Sequence, residues 1–278
     1  MEVRDYAQED RTIGDCRCHR RRGGLRACHD IWAQVPPPCP LPTGEFDFDF
    51  ADSQYPRCFR DVVRTGAFTA GEDFGGTRHT SLNIAGTAGA GGLTWMTMVD
   101  QDPTTPAADV VFASGTVCAD ILIQRFNNNK GAGVVALYNQ DPTKKGLALI
   151  LYDAGNTDLL TLATVAGDAN GRLTPLVSVR LGSAIAENNW YRVVMTVTVG
   201  AMLEVHGQAY KHKTGTDPNS HIEAIGAPLT FGPTAFPIGV ENQGEEGIIG
   251  SAIGAVENSS VTNFTNVRVN CLPPVPPA

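Results

Sequence analysis

The chain has 278 residues, 42% hydrophobic and 18% charged, which is ample apolar material for a core and too little charge for wholesale disorder. Residues 1–39 hold seven Arg and six acids, so the rest holds 21 − 7 = 14 basic and 29 − 6 = 23 acidic residues, a balance of −9 within a total of −8. Such an acidic body repels phosphate backbones and argues against a nucleic-acid partner, and no apolar run of about 18 residues is present to span a membrane.

Residues 1–35 are Arg-rich and show no sustained apolar period. They lack the basic start and apolar stretch of a secretory signal, since Met1-Glu-Val-Arg-Asp5 is polar and no such stretch follows. They read as an irregular Arg/Cys-rich leader. Cys16-Arg-Cys-His19 is one residue short of the haem-attachment spacing, and zinc ligands usually come as more widely spaced pairs. Disulfides or a disordered leader suit this cluster better. Residues 36–44 form a proline-rich, extended linker, because proline fixes φ and lacks a donor. The tail 271–278 has the same composition. Between these segments, residues 45–270 are expected to form one domain.

Strand signals are dense there. Phe46, Phe48 and Phe50 alternate with Asp47 and Asp49, which is period two. Strands are then expected at Ser81–Ala85, Leu93–Val99, Ala119–Phe126, Gly133–Asn139, Leu147–Asp153 and Leu159–Ala166. Further ones are expected at Leu173–Arg180, Tyr191–Val199, Leu203–Tyr210, Gly247–Val256 and Ser260–Val269. Clusters of Gly, Asn, Asp and Pro separate most of them, the pattern of an all-β sandwich or barrel. Ala184–Glu187 is at most a very short helix. In Tyr191–Val199 the residues Tyr191, Val193, Met195, Val197 and Val199 share one face, opposite Arg192, Thr196 and Thr198. A one-residue slip would expose five apolar side chains.

Several of these strands resemble a known group. Asn188-Asn-Trp-Tyr-Arg-Val-Val-Met195 resembles the Trp-led strand of laminin-G-like and concanavalin A-like lectin/glucanase domains. Asn263-Phe-Thr-Asn-Val-Arg-Val269 is similar to the closing strand of that superfamily, and Gly247-Ile-Ile-Gly250 to the strand before it. Val117–Gly133, with Asp120-Ile-Leu-Ile-Gln-Arg-Phe126, resembles the strand pair that opens the second half. The resemblance spans about residues 45–270 and implies a two-sheet antiparallel jelly-roll sandwich. Members bind glycans, often with Ca²⁺, or hydrolyse polysaccharides, and fold alone does not choose between these.

Four sets of residues are candidates for chemistry. Glu45, Asp47 and Asp49 share one face of a strand, as a nucleophile and an acid/base pair would need. Asp49 stands where retaining enzymes of the superfamily carry Glu, and the segment opens the domain instead of lying mid-chain, so a solvated acidic strand fits better. Asp100, Asp102 and Asp109 in one loop region, with Asn139 and Asp141 in another, are candidate Ca²⁺ ligands; they are also ordinary turn residues. Tyr138, Tyr152, Trp190, Arg192, His206 and Tyr210 are candidates for a face that stacks on sugar rings, although Trp190 at a strand start also suits a core. Neighbouring first and last strands, common in such folds, would allow a Cys39–Cys271 or Cys58–Cys271 disulfide, which implies an oxidising compartment. Asn258 and Asn263 match glycosylation acceptors, relevant only to a eukaryotic secreted chain.

The residues therefore point to a non-catalytic, extracellular or surface-associated recognition domain with a glycan or polysaccharide partner. A glycoside hydrolase or polysaccharide lyase on the same sandwich is the alternative, and a structural adhesion module with a surface protein as partner is the third. No Gly-x-Ser-x-Gly elbow, P-loop or dinucleotide fingerprint is present.

Overall fold

The computed structural model describes residues 46–48, 59–63, 66–73, 80–86, 91–100, 108–109, 112–125, 130–139, 141, 143–153, 157–166, 173–217, 220–253 and 261–269. All lie in one compact unit, Pro36–Ala278. The strands are β1 (Phe46–Phe48), β2 (Phe59–Val63), β3 (Gly66–Asp73), β4 (Thr80–Gly86), β5 (Gly91–Asp100), β6 (Ala108–Asp109), β7 (Gly115–Arg125) and β8 (Lys130–Tyr138). They continue with β9 (Lys145–Asp153), β10 (Asp158–Ala166), β11 (Leu173–Arg180), β12 (Asn189–Val199), β13 (Leu203–His212), β14 (Ile222–Thr234), β15 (Glu245–Ile253) and β16 (Val261–Val269). No helix occurs among the described residues, and Ala184–Glu187 is an irregular connection.

The fold is a β-sandwich. The first sheet runs β14-β13-β12-β7-β16-β4-β3, with β1 added on β16. The second runs β11-β10-β9-β8-β15-β5-β2, with β6 on β5. Every pairing between these strands among the described residues is antiparallel. The first and last strands are neighbours, with Phe46 opposite Val269 and Asp47 opposite Arg268.

Alternation builds the core between the sheets. Val117, Ala119, Ile121 and Ile123 of β7 face inward, as do Tyr191, Val193, Met195 and Val197 of β12. They meet Leu147, Leu149 and Leu151 of β9 and Leu160 and Leu162 of β10. Side chains such as these stabilise by about 1.5–3 kcal/mol each when fully buried. The opposite face of β12 is not simply solvated, as its Arg and Thr residues suggest. Trp190 and Val194 on that face are buried beside the inward row.

β2, β3 and β6 have no counterpart among the expected strands, and neither has β14. It is an edge strand with mostly exposed side chains, and it contains Gly226, Pro228, Gly232 and Pro233. Proline is tolerated at an edge because the outward N–H has no ladder partner to lose. β14 lies against β11, the edge of the second sheet. Gly226 allows that approach: its φ is +69°, and a Cβ there would lie 2.8 Å from the Arg180 carbonyl oxygen.

Candidate functional site

The outer face of the first sheet carries a polar row. Cross-strand register sets Tyr210 of β13 opposite Arg192 of β12, Arg192 opposite Asp120 of β7, and Asp120 opposite Thr265 of β16. Asp120 interrupts the apolar run Val117-Cys-Ala-Asp-Ile-Leu-Ile123 and has no solvent exposure. A buried charge is costly unless it is paired and hydrogen-bonded.

Three side chains meet that need. Arg192 donates from Nε to Oδ1 at 2.8 Å and from Nη2 to Oδ2 at 2.7 Å. His212, the last residue of β13, places Nε2 2.8 Å from Oδ1. Asn266 donates from Nδ2 to Oδ2 at 2.7 Å. Asn266 reaches Asp120 through a bulge: the β16–β7 register shifts between Thr265 and Arg268, and Asn266 has φ +48°. Asn tolerates this left-handed backbone better than most residues. Burial pushes the Asp120 carboxyl up, but the hydrogen bonds from His212 and Arg192 and the Arg192 charge outweigh it, leaving the group below its ordinary 3.8.

Described residues of the connection after β13 adjoin one end of this network. His212 Nδ1 lies 3.2 Å from the Ser220 carbonyl oxygen, and Trp190 N–H donates to Gly215 O at 2.7 Å. Lys213 N–H donates to His221 O at 2.7 Å, and Ser220 Oγ donates to Asp217 O at 2.8 Å.

Beside the buried centre the same face opens to solvent. Arg192 keeps 17% of its side chain exposed, and Tyr210 and Gln208 are half-buried. Burial raises the Tyr210 phenol, and the Arg192 charge opposes that rise. Gln208 Nε2 donates to the Ala209 and Ile225 carbonyls, which fixes the amide and leaves its oxygen as the remaining acceptor. His206 is 51% exposed, with Nε2 3.0 Å from Glu204 Oε1. Thr116 and Thr196 share a hydrogen bond at 2.9 Å.

The six aromatic and polar candidates thus divide. Arg192, His206 and Tyr210 share the outer face of the first sheet, with Tyr210 opposite Arg192 and His206 farther along β13 opposite Thr196. Trp190 lies on that face but is 1% exposed, so its ring offers no stacking surface. Tyr138 and Tyr152 belong to the other sheet, where Tyr138 is buried in a second apolar cluster with Val135, Ala148, Ile150, Val165 and Ile249, and Tyr152 packs on it. They cannot share a ligand with Arg192, because the sandwich core lies between the two faces.

Of the candidate Ca²⁺ ligands, Asn139 and Asp141 shape a turn. Asn139 Oδ1 accepts from Asp141 N–H at 3.0 Å, and Asp141 Oδ1 accepts from the Thr143 N–H and hydroxyl at 2.8 and 2.7 Å. Glu241 takes hydrogen bonds from Asn139 and Lys144. Asp100 lies opposite Ala108 and Asp109 opposite Val99, and Asp102 lies outside the described residues. No group of three or more acidic, His or Cys side chains able to hold a metal occurs among the described residues. Glu45, Asp49, Cys39, Cys58 and Cys271 lie outside the described residues.

Sequence reasoning missed Asp120, His212, Asn266 and Gln208 as parts of a site. A signal for Asp120 was present, since a carboxylate inside an apolar strand demands partners. Glu246 is a second buried acid. It is 1% exposed near the start of β15, its Oε2 has no hydrogen-bond partner, and burial pushes it up to about 8.

No protein-family model and no curated protein matches the chain. Solved structures give likenesses at low identity. A carbohydrate-binding module from Bacillus subtilis is 12% identical, with 75% of this chain and 92% of that one covered at a TM-score of 0.43. An alginate lyase from Aplysia kurodai is 10% identical, covering 73% and 86% at 0.44. Lectin II from Ulex europaeus is 10% identical, covering 82% and 98% at 0.43. Likenesses at this level carry no conclusion about ligand or reaction.

Proposed function

We propose that this chain is a non-catalytic recognition domain, extracellular or surface-associated, that binds a polysaccharide on the outer face of its first sheet at Tyr210, Arg192, Gln208 and His206. The support is the row Tyr210–Arg192–Asp120, anchored by a carboxylate that takes hydrogen bonds from three side chains. A sugar offers hydroxyls that need donors and acceptors in set positions, and C–H faces that suit an aromatic ring. Arg192 is held by its fork on Asp120 and Gln208 by two backbone carbonyls, so little side-chain freedom remains to be lost on binding. Tyr210 adds a ring and a phenol beside them.

The test is a glycan array followed by affinity electrophoresis of the intact chain, with and without EDTA. Tyr210→Ala and His206→Ala should each weaken retention by roughly tenfold, the equivalent of one 1.4 kcal/mol contact, with unfolding temperature unchanged. Undiminished retention in both variants would overturn the assignment of this face. Release of shortened sugars would favour a hydrolase or lyase.

A further inference from the structure

The charges on the outer face of the first sheet are few and largely matched. Among the described residues, alternation places Asp120 there on β7, Arg192 on β12, and Glu204, His206 and His212 on β13. On β14, Thr230 is opposite His206 and Ala224 opposite Tyr210, so that strand adds no charge beside them. Lys211 alternates to the other side of β13, with Glu223 opposite it. Arg268 of β16 is half-buried, with Cys118 opposite it on β7 and Asp47 opposite it on β1.

Arg192 gives Nε and Nη2 to the buried Asp120 carboxylate. An incoming anion would have to compete with a carboxylate already seated on that guanidinium. Glu204 is 37% exposed, and its Oε1 lies 3.0 Å from His206 Nε2. Arg192 thus stands with two carboxylates, Asp120 and Glu204, in a chain of formal charge −8. An approaching polyanion meets repulsion, and no described cation of β12 or β13 on this face lacks a carboxylate beside it. What the face offers instead is polar and uncharged. Gln208 presents its amide oxygen, and burial raises the Tyr210 phenol, which keeps it an O–H donor.

We propose that the ligand of this face is a neutral polysaccharide, held by hydroxyl hydrogen bonds and ring contact, and that uronate and sulfated chains are excluded by charge. The inference rests on the recognition face proposed above and adds the class of sugar that it takes.

The experiment is affinity electrophoresis of the intact chain in gels holding a neutral glucan, galactomannan or arabinoxylan, or else alginate, polygalacturonate or chondroitin sulfate. At least one neutral gel should retard the chain. That retardation should change less than about twofold from 10 mM to 150 mM salt, while the screening length falls from about 30 to about 8 Å. The anionic gels should not retard it. Glu204→Lys, which reverses the exposed carboxylate, should tighten the apparent dissociation constant for alginate by roughly fivefold at low salt. Retardation of wild type in an anionic gel overturns the inference; if Tyr210→Ala abolishes it, the recognition face still stands. Neutral-gel retardation that collapses with salt also overturns it, as does Glu204→Lys without a gain on alginate. Retardation in no gel fails the recognition face and this inference with it.

Discussion

Arg192 grips Asp120 with Nε and Nη2 at 2.8 and 2.7 Å, a two-pronged pair whose carboxylate is fully buried while the guanidinium keeps a partly exposed edge. This pair links the interior of the fold to its candidate binding face. Removing one partner of such a pair leaves the other charged in a poor solvent. Asp120→Ala should therefore lower unfolding free energy by about 3–5 kcal/mol in urea titrations. Arg192→Lys should also destabilise, because an ammonium cannot reproduce the fork.

Acid should weaken the same network. The folded-state pKa of Asp120 lies below its ordinary 3.8, so the unfolded chain takes up this proton first as the pH falls. The stabilisation is present above about pH 4 and is lost as the pH drops through the folded value. In urea titrations below about pH 4, wild type should lose stability more steeply than Asp120→Asn.

Glu246 gives the opposite slope. Its pKa rises from an ordinary 4.5 to about 8 on folding, so the folded chain holds a proton that the unfolded chain has released. Stability is full below about pH 4.5 and falls by about 1.4 kcal/mol per pH unit until the folded group ionises near pH 8. Glu246→Gln should remove this slope and be the more stable protein at pH 8, as read by the urea midpoint at a series of pH values.

Gly207 faces the core behind the candidate binding face. A Cβ on it would lie 2.7 Å from Leu149 Cδ2 and 3.0 Å from Cδ1 across the core. Gly207→Ala should cost about 1–3 kcal/mol by overpacking and lower the melting temperature. The effect should shrink when Leu149 is shortened to Val in the same chain.

Much of the fold is legible from alternation. Tyr191, Val193, Met195 and Val197 read as one buried face, and they pack between the sheets. The proline-rich surroundings and the Asn263–Val269 strand mark a closing strand, which pairs with β1. β14 was illegible because an exposed edge strand needs no apolar period, and its Gly and Pro read as turns.

The amino-acid sequence by itself determined an all-β chain: local alternation decides which side chains each strand can bury, and that pattern spans only a few residues. Tertiary structure alone decided the site. Asp120 meets Arg192, His212 and Asn266 from 72, 92 and 146 positions away. Strand order, register and the β16 bulge bring them together. It also sent Tyr138 and Tyr152 to the opposite face from Tyr210, because sheet membership is set by long-range pairing that no single strand contains. A buried carboxylate announces a need for partners, and only the folded chain supplies them.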